Sequence, residues 1–195
     1  MSDEMFVRCC APTLAGIKTG SMFSCEYSDR EEMTDELRRL NRVLSAGGMC
    51  ILPLRYHDGK ALLYLFRPDS LQRDMTNGAA RETLEEAGYS GLRYQQCIRR
   101  LIRRIGSGNE FPHEIGLFLS YPPEDVRGFI ENHAQNYKFI GYWKVYGDEE
   151  KARRTFEKYK KCTDSYCRSV KAGHKLAELA VAVCKKKGSR QRCKR

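Results

Sequence analysis

The stretch MCILPLRYHDGKALLYLFRP, residues 49–68, decides the fold. Two apolar runs flank Asp58 and Gly59, a pair that favours the tight turn of a β-hairpin. Apolar side chains fall on both faces of the second run, which predicts a central strand covered on both sides. Pro53 has no amide proton for a ladder, so its strand should lie at an edge or contain a bulge. The stretch therefore predicts a hairpin over residues 49–67 in a small sheet.

Helical patterns surround this hairpin. Residues 28–45 carry one apolar stripe that begins at a capping box formed by Ser28 and Glu31. Residues 69–87 predict a helix that a break at Asn77–Gly78 could divide, with a glycine, Gly88, placed as its C-cap. Further helices are predicted over 92–105, from 123 onward and from 148 to about 172.

Two segments after the hairpin are less regular. Residues 111–122 fit either a strand or a helix, because the apolar run is short and Pro112 suits a first helical turn. Residues 138–146 are rich in aromatic and β-branched side chains, which favours a strand. We therefore predict an α+β fold: a single compact domain over 1–184 with a small mixed sheet, made of the hairpin 49–67 and a strand near 138–146, packed by several helices.

The composition is that of a globular protein. The 195 residues are 41% hydrophobic and 31% charged, and no apolar run approaches the ~20 residues of a membrane span. The N-terminus, MSDEMFVRCC, has acidic residues where a signal peptide needs positive charge. These features predict a cytoplasmic protein with no membrane partner. The nine cysteines have irregular spacing without CxxC pairs, which favours reduced thiols over disulfides or a zinc site.

Most of the excess positive charge lies at the C-terminus. The formal net charge is +10, and the seven basic residues of KKKGSRQRCKR, residues 185–195, account for all but +3 of it. We predict a disordered basic tail here, which could bind nucleic acid weakly and nonspecifically.

The segment RETLEEAGY, residues 81–89, resembles the end of a Nudix box, whose glutamates hold the metals for diphosphate cleavage. The required upstream glutamate and glycine positions hold Arg73 and Arg67, and the aliphatic position holds Thr83. An arginine at the glutamate position would repel magnesium. A degenerate Nudix-like diphosphate hydrolase is therefore only a third hypothesis, and the acidic residues fit a solvated helix face.

Five blocks of the chain resemble one family. They are PTLAGIKTGSMF at 12–23, LYLFRP at 63–68, FPHEIGLFLSYPPEDVRGFI at 111–130, GYWKVYGD at 141–148 and KYKKCT at 158–163. In this order they are similar to the bacterial family catalogued as domain of unknown function 3793. The chain departs from that pattern at Ser120, where a glycine is usual, and in its basic tail. The resemblance implies membership of the family but no activity, because the family has none assigned.

Two basic residues are candidates for binding an anion. Lys18 lies in the glycine-flanked segment AGIKTG, where it could hold a phosphate or carboxylate or could simply be solvated. Arg67 follows the central strand and precedes a proline, and an arginine at the end of a sheet can bind an anion with two parallel hydrogen bonds. It could equally pair with a carboxylate on a helix.

His113 and Glu114 are the candidates for catalysis. A neighbouring carboxylate can raise the pKa of a histidine and suit it for acid–base chemistry. Adjacent side chains on a strand point to opposite faces, however, and in the first turn of a helix Glu114 would only favour the helix dipole. A structural role for the pair is the favoured interpretation. No set of metal ligands stands out, and the sequence does not tell which cofactor, if any, the protein binds.

Residues 137–146 also hold five aromatic residues beside Lys138 and Lys144, a pattern that suits stacking on nucleic-acid bases but more often forms a core. The leading hypothesis is a protein that binds a small anionic ligand or cofactor, possible enzymatic activity included, with Lys18, Arg67, His113 and Glu114 near one pocket. The alternative is a non-catalytic interaction module that uses the tail and the helix 92–105, whose four arginines are predicted to face outward.

Overall fold

The computed structural model describes residues 1–107 and 111–182. The helices are α1 (Asp3–Leu14), α2 (Arg30–Leu44), α3 (Pro68–Met75), α4 (Gly78–Glu86), α5 (Tyr94–Gly106), α6 (Ile115–Phe118), α7 (Pro123–Glu131), α8 (Glu149–Lys171) and α9 (Leu176–Leu179), with a 3-10 turn at Ser45–Gly47. The strands are β1 (Gly20–Glu26), β2 (Cys50–His57), β3 (Lys60–Phe66), β4 (Phe139–Ile140) and β5 (Lys144–Val145). The predicted α+β class is confirmed.

The hairpin predicted over 49–67 is β2 and β3, and β3 is the central strand of a three-stranded sheet with the order β1-β3-β2. Its turn has positive φ at Asp58 (47°) and Gly59 (68°), as a two-residue hairpin turn requires. Pro53 lies in an edge strand at a register shift between residues 53 and 55, so both predicted ways of accommodating it occur together.

The predicted composition of the sheet is wrong in two respects. Its third strand is β1, Gly20–Glu26, and every strand pair in it is antiparallel, so the sheet is not mixed. The segment 138–146 forms a separate ladder of its own, in which Phe139 pairs with Val145 and Ile140 with Lys144. We call β4, β5 and their turn the aromatic hairpin.

The two faces of the sheet pack against different helices. Leu63 and Leu65 of β3 point into a core cluster with residues of α1 and α2, against which the C-terminal half of α8 also packs. Tyr64 and Phe66 alternate with them and point into a second cluster with residues of α3 to α7. A third cluster joins the aromatic hairpin to the N-terminal half of α8 through Trp143, Val145, Ala152 and Tyr159. Because successive side chains of β3 point to opposite faces of the sheet, this strand contributes to both main cores and separates them.

The other predicted elements have clear outcomes. The predicted break at Asn77–Gly78 separates α3 from α4, and Gly88 follows α4 with φ of 83°. The segment 111–122 is helical rather than extended, since it contains the single turn α6. The predicted cap of α2 is wrong by one residue, because the side chain of Asp29 accepts from the amide of Glu32. Residues 183–195 lie outside the described part of the chain, and with them the predicted tail and the end of the predicted 1–184 domain.

Candidate ligand-binding site

A cavity of about 400 Å³ opens between α6, α7 and the aromatic hairpin. Its walls are largely apolar and include the aromatic side chains of Phe111, Tyr121, Phe129, Tyr142 and Trp143. The Tyr121 and Trp143 rings lie 4.9 Å apart between centroids. Around the mouth, Phe111 is 40% exposed, Tyr142 is 43% exposed and Ile140, which also lines the cavity, is 61% exposed. We call this the aromatic cavity.

Asp125 fixes the hairpin that forms one wall of this cavity. It lies in the first turn of α7 and is 3% exposed. One carboxylate oxygen accepts from the indole N–H of Trp143 at 2.6 Å, and the other accepts from the backbone amides of Tyr146 and Gly147 at 2.8 and 2.7 Å. Three donors on one carboxylate orient the indole and the end of the hairpin together.

Two glycines allow the hairpin to dock closely. A Cβ on Gly128 of α7 would come within 2.5 Å of Cγ of Tyr146. A Cβ on Gly141 would come within 2.1 Å of the Phe156 ring of α8. Both positions therefore admit an aromatic ring where any larger residue would displace it.

His113 and Lys144 are polar residues of the cavity lining. His113 packs its ring edge-on against Phe129, with 4.9 Å between centroids. The Lys144 ammonium donates to the backbone carbonyl of Ala134 at 2.8 Å and lies 4.6 Å from the centroid of the Tyr137 ring. Within residues 1–107 and 111–182, no carboxylate lies within salt-bridge distance of Lys144.

Glu114 does not bond His113 but the side chains of Tyr89 and Arg104. It is 3% exposed, and Oε1 accepts from the Tyr89 hydroxyl at 2.7 Å and from Nη1 of Arg104 at 2.8 Å. Burial, with this bond to Glu114, raises the pKa of Tyr89. The carboxylate thus joins α5 to the turn before α6, and the geometry supports the structural interpretation of this residue.

Replacing Arg104 with methionine should therefore lower the free energy of unfolding by about 2 kcal/mol, because it leaves the buried Glu114 carboxylate without its cation. Arg103, its exposed neighbour on α5, provides the matched control, and Arg103→Met should change stability by less than about 0.5 kcal/mol. Urea titrations followed by circular dichroism measure both. Equal losses in the two variants would contradict a structural role for the Glu114–Arg104 pair.

Lys18 lies near Tyr121, in the turn between α1 and β1. Its ammonium is 5.4 Å from the centroid of the Tyr121 ring and 5.9 Å from that of Tyr159 in α8. Burial lowers the pKa of Lys18 to about 8. The backbone of this turn is held by the amides of Ile17 and Lys18, which both donate to the carbonyl of Pro12.

The next residue fastens the turn to two other elements. The amide of Thr19 donates to the Ser120 side chain at 2.9 Å, and its hydroxyl donates to Asp74 of α3 at 2.5 Å. Burial raises the pKa of Asp74. Ser120 has φ of 54°, in the left-handed region that favours glycine, and its hydroxyl supplies a bond that glycine could not. This accounts for the serine at a position where the sequence pattern favours glycine.

Arg67 follows β3, is 3% exposed, and donates its backbone amide to the carbonyl of Thr19 at 2.9 Å. Its guanidinium donates to four backbone carbonyls, those of Thr13, Leu14, Gly47 and Val181. Of the four predicted site residues, Lys18 lies near the Tyr121 ring, His113 packs on Phe129 in the aromatic cavity, and Glu114 and Arg67 are held in separate internal bonds. The ligand-binding role of Arg67 stays a prediction.

Charged residues of α5 and α4, which the sequence assigns to the surface, make several contacts within the protein. The prediction that all four arginines of α5 face outward is wrong, since Arg104 bonds Glu114 and Arg100 lies 5.4 Å from the centroid of the Tyr89 ring. The acidic face of α4 is paired with arginines: Glu85 with Arg81, and Glu82 with Arg127. These pairs fit the interpretation of this segment as a solvated helix face.

The sequence did not indicate the residues that organise the cavity. Asp125 and Tyr121 were missed, because the residue that both contact, Trp143, lies 18 or more positions further along the chain. A usable signal was present at Gly141, a glycine inside the aromatic-rich segment 137–146. A Cβ there would meet the Phe156 ring, and a Cβ on Gly128 would meet the Tyr146 ring, so both glycines mark close packing of rings.

Comparison with known proteins identifies a family for the chain. The family described as "Protein of unknown function (DUF3793)" matches residues 6–180, which confirms the resemblance seen in the sequence blocks. No curated protein and no solved structure matches the chain. Within the described residues, no helix is long and apolar enough to cross a membrane.

Proposed function

We propose that this protein, a member of the DUF3793 family, binds a small molecule that has an aromatic or other apolar body and one anionic group. The aromatic cavity takes the apolar body, and Lys144 binds the anionic group with His113 beside it. The observation that carries the proposal is a concave site with aromatic walls whose large apolar side chains remain 40–61% exposed at its mouth.

The size and lining of the cavity support a small molecule. A volume of about 400 Å³ falls within the range of ~300–1,000 Å³ that ligand sites occupy, and such sites combine apolar walls with a few convergent polar groups. Exposed apolar side chains that surround a cavity lose contact with water when a ligand enters, which stabilises the complex. Isolated exposed residues elsewhere on the surface would not share one ligand.

The charges at the cavity support an anion. The negative charge of Asp125 is taken up by its three donors from the hairpin. The Lys144 ammonium has only a carbonyl and the Tyr137 and Phe129 rings as partners in the described residues, so it retains donors for an acidic group. A carboxylate or sulfonate at the cavity mouth would therefore gain a charge-assisted hydrogen bond.

Trp143 is the only tryptophan of the chain and lines the cavity, so its fluorescence reports occupation directly. We expect 4-phenylbutyrate to change this fluorescence saturably and to bind about tenfold more tightly than 4-phenylbutanol, a difference of ~1.4 kcal/mol. In Lys144→Met the two probes should bind equally, and in Phe129→Ala both should bind more weakly.

The matched control for the lost ring is Tyr56→Leu, which removes an aromatic side chain from the far side of the sheet and should leave both affinities unchanged. Lys60→Met, at the exposed start of β3, controls for the lost charge. A saturable response that Tyr56→Leu and Phe129→Ala weaken alike, or the absence of any response to both probes, would contradict the proposal.

The alternative function, an interaction module, has less support from the described residues. Two of the four arginines of α5 are engaged inside the protein, which leaves Arg99 and Arg103 exposed on that helix. Weak nonspecific binding of nucleic acid by the tail 185–195 stays a prediction, because the tail lies outside the described residues. A cytoplasmic location also stays a prediction.

A further inference from the structure

A second cavity, of about 280 Å³, adjoins the aromatic cavity and differs from it in charge. Three residues line both cavities: Tyr121, Asp125 and Trp143. The rest of the second lining includes carboxylates from three separate elements, Asp74 of α3, Glu124 of α7 and Asp148 before α8. Lys151 adds one positive charge to this lining, so negative charge predominates. We call this the acidic cavity.

The positions of three carboxylates in the lining have structural explanations. The side chain of Asp148 is the N-cap of α8 and accepts from the amide of Lys151 at 2.9 Å. Glu124 is exposed in the first turn of α7, where a negative charge interacts favourably with the helix dipole. Asp125, in the shared wall, is already bonded to three donors of the aromatic hairpin. These contacts account for all three residues without a ligand.

Asp74 has no such explanation. It lies half-buried in the last turn of α3, where the negative end of the helix dipole disfavours a carboxylate. In the described part of the chain, no cationic side chain lies within salt-bridge distance of it, and its sequence neighbour Arg73 donates to Ser70 instead. Its hydrogen-bond donor is the neutral hydroxyl of Thr19, at Oδ2. A partly buried carboxylate in these surroundings lowers stability unless a cation joins it.

The lining indicates what kind of cation this is. Among residues that the structure describes, no three acidic, histidine or cysteine side chains are placed to hold one metal ion. An ammonium group carries its own N–H donors. Asp74 and Ser120 both bond Thr19, so Oδ1 of the carboxylate and the serine hydroxyl lie close together as acceptors in the lining. Leu117 and Trp143 supply apolar wall for a short hydrocarbon chain.

We propose that the acidic cavity binds a small primary amine in its protonated form, with the ammonium group on Asp74 and a short apolar body against Trp143. The ligand supplies the countercharge that the carboxylate lacks within the protein. Asp74 then remains at the unfavourable end of α3 because binding requires it there, at some cost in stability. The volume of about 280 Å³ is close to the lower end of the ~300–1,000 Å³ range of ligand sites, which suits a small molecule.

NMR titrations of the wild-type protein test this without any variant. Butylamine is protonated at pH 7, as a lysine side chain is. At constant ionic strength it should cause saturable shifts of the backbone amides of Asn77 and Lys151, which line the cavity. We expect 1-butanol, which has a similar size and no charge, to bind at least about tenfold more weakly, because it cannot neutralise Asp74.

The matched pair of variants is Asp74→Asn and Glu157→Gln. Asp74→Asn keeps an acceptor for the Thr19 hydroxyl and removes the charge, so it should weaken butylamine binding at least about tenfold and leave the affinity for 1-butanol unchanged. Its melting temperature should equal or exceed that of wild type. Glu157 is an exposed residue of α8 outside the lining, and its substitution should change neither affinity. Lys144→Met should also keep the response to butylamine, which separates this proposal from the anionic-ligand site.

Three outcomes would overturn the proposal. Butylamine and 1-butanol could bind with equal affinity or without saturation, and the carboxylate would then select no cation. Asp74→Asn and Glu157→Gln could weaken butylamine binding alike, which would reduce the effect to the overall charge of the protein. Asp74→Asn could keep the affinity of wild type and melt at a lower temperature, which would give the carboxylate a purely structural role.

Discussion

Replacing Arg67 with alanine should lower the free energy of unfolding by about 4 kcal/mol, the largest loss that we expect from one substitution in this protein. The guanidinium is 3% exposed and donates from Nε to Thr13, from Nη1 to Gly47 and from Nη2 to Leu14 and Val181, over 2.7–2.9 Å. Its loss leaves these carbonyls without their donor in the interior, each at a cost of ~1 kcal/mol or more.

The position of these four carbonyls explains why one side chain has so large an effect. Thr13 and Leu14 end α1, Gly47 ends the 3-10 turn after α2, and Val181 follows α9. Helix ends leave carbonyls without intrahelical partners, and here one cation satisfies several of them at once. Arg67 thus joins three separate chain segments to the end of the central strand.

Urea unfolding measured by circular dichroism tests this, with Arg55→Ala as the matched control because Arg55 is an exposed arginine of the same sheet. The control should stay within about 0.5 kcal/mol of wild type. Arg67→Lys should lose nearly as much as the alanine variant, since an ammonium cannot reach carbonyls spread around a planar guanidinium. A neutral or stabilising effect of Arg67→Ala would instead favour the ligand-binding role that the sequence predicts for this residue.

The parts of the fold that the sequence predicted are those with a strong local signal. The Asp58–Gly59 turn fixes the hairpin, and the alternation of Leu63, Tyr64, Leu65 and Phe66 fixes which core each face meets. The strand β1 had no such signal, because GSMFSCE contains neither a β-branched residue nor an alternation of apolar and charged side chains. Its place in the sheet comes from pairing with β3, which is a tertiary effect.

The segment 138–146 shows the opposite error, since its aromatic residues predicted a strand of the main sheet. Asp125 accepts hydrogen bonds from the backbone amides of Tyr146 and Gly147, and a longer β-ladder would need these two donors. The segment therefore docks on α7 and α8 as a short hairpin. A carboxylate about 20 residues upstream decides this, and propensity over a local window cannot detect it.

For the candidate site, the sequence indicated His113, which lines the aromatic cavity, and Lys18, which lies near the Tyr121 ring, and the roles of both stay predictions. The partner of Glu114 was not predictable, because Arg104 belongs to a helix whose arginines were assigned to the solvent side. Hydrophobic periodicity describes which face of a helix is apolar, but it does not tell when one basic side chain bends back to a buried carboxylate.

Replacing Asp125 with alanine should release the aromatic hairpin and cost about 3 kcal/mol of stability. Two backbone amides and the indole N–H of Trp143 lose their acceptor in a buried environment, and bonds to a charged group are each worth ~1.5–3 kcal/mol. Because water can reach part of the freed hairpin, the total should be smaller than the sum of three such bonds.

Two readouts separate local release from general unfolding. Trp143 is 8% exposed, so its emission should shift to the red in Asp125→Ala under native conditions, while the helical circular dichroism signal persists. The same variant should lose the response to 4-phenylbutyrate, because the hairpin forms one wall of the aromatic cavity.

The control is Glu124→Gln, which changes an exposed acidic residue of the same first helical turn and so accounts for any effect on the helix dipole. If Asp125→Ala kept both the emission of wild type and its affinity for the probe, the hairpin would be held by ring packing on Gly128 and Gly141 alone, and the carboxylate would not be what shapes the cavity.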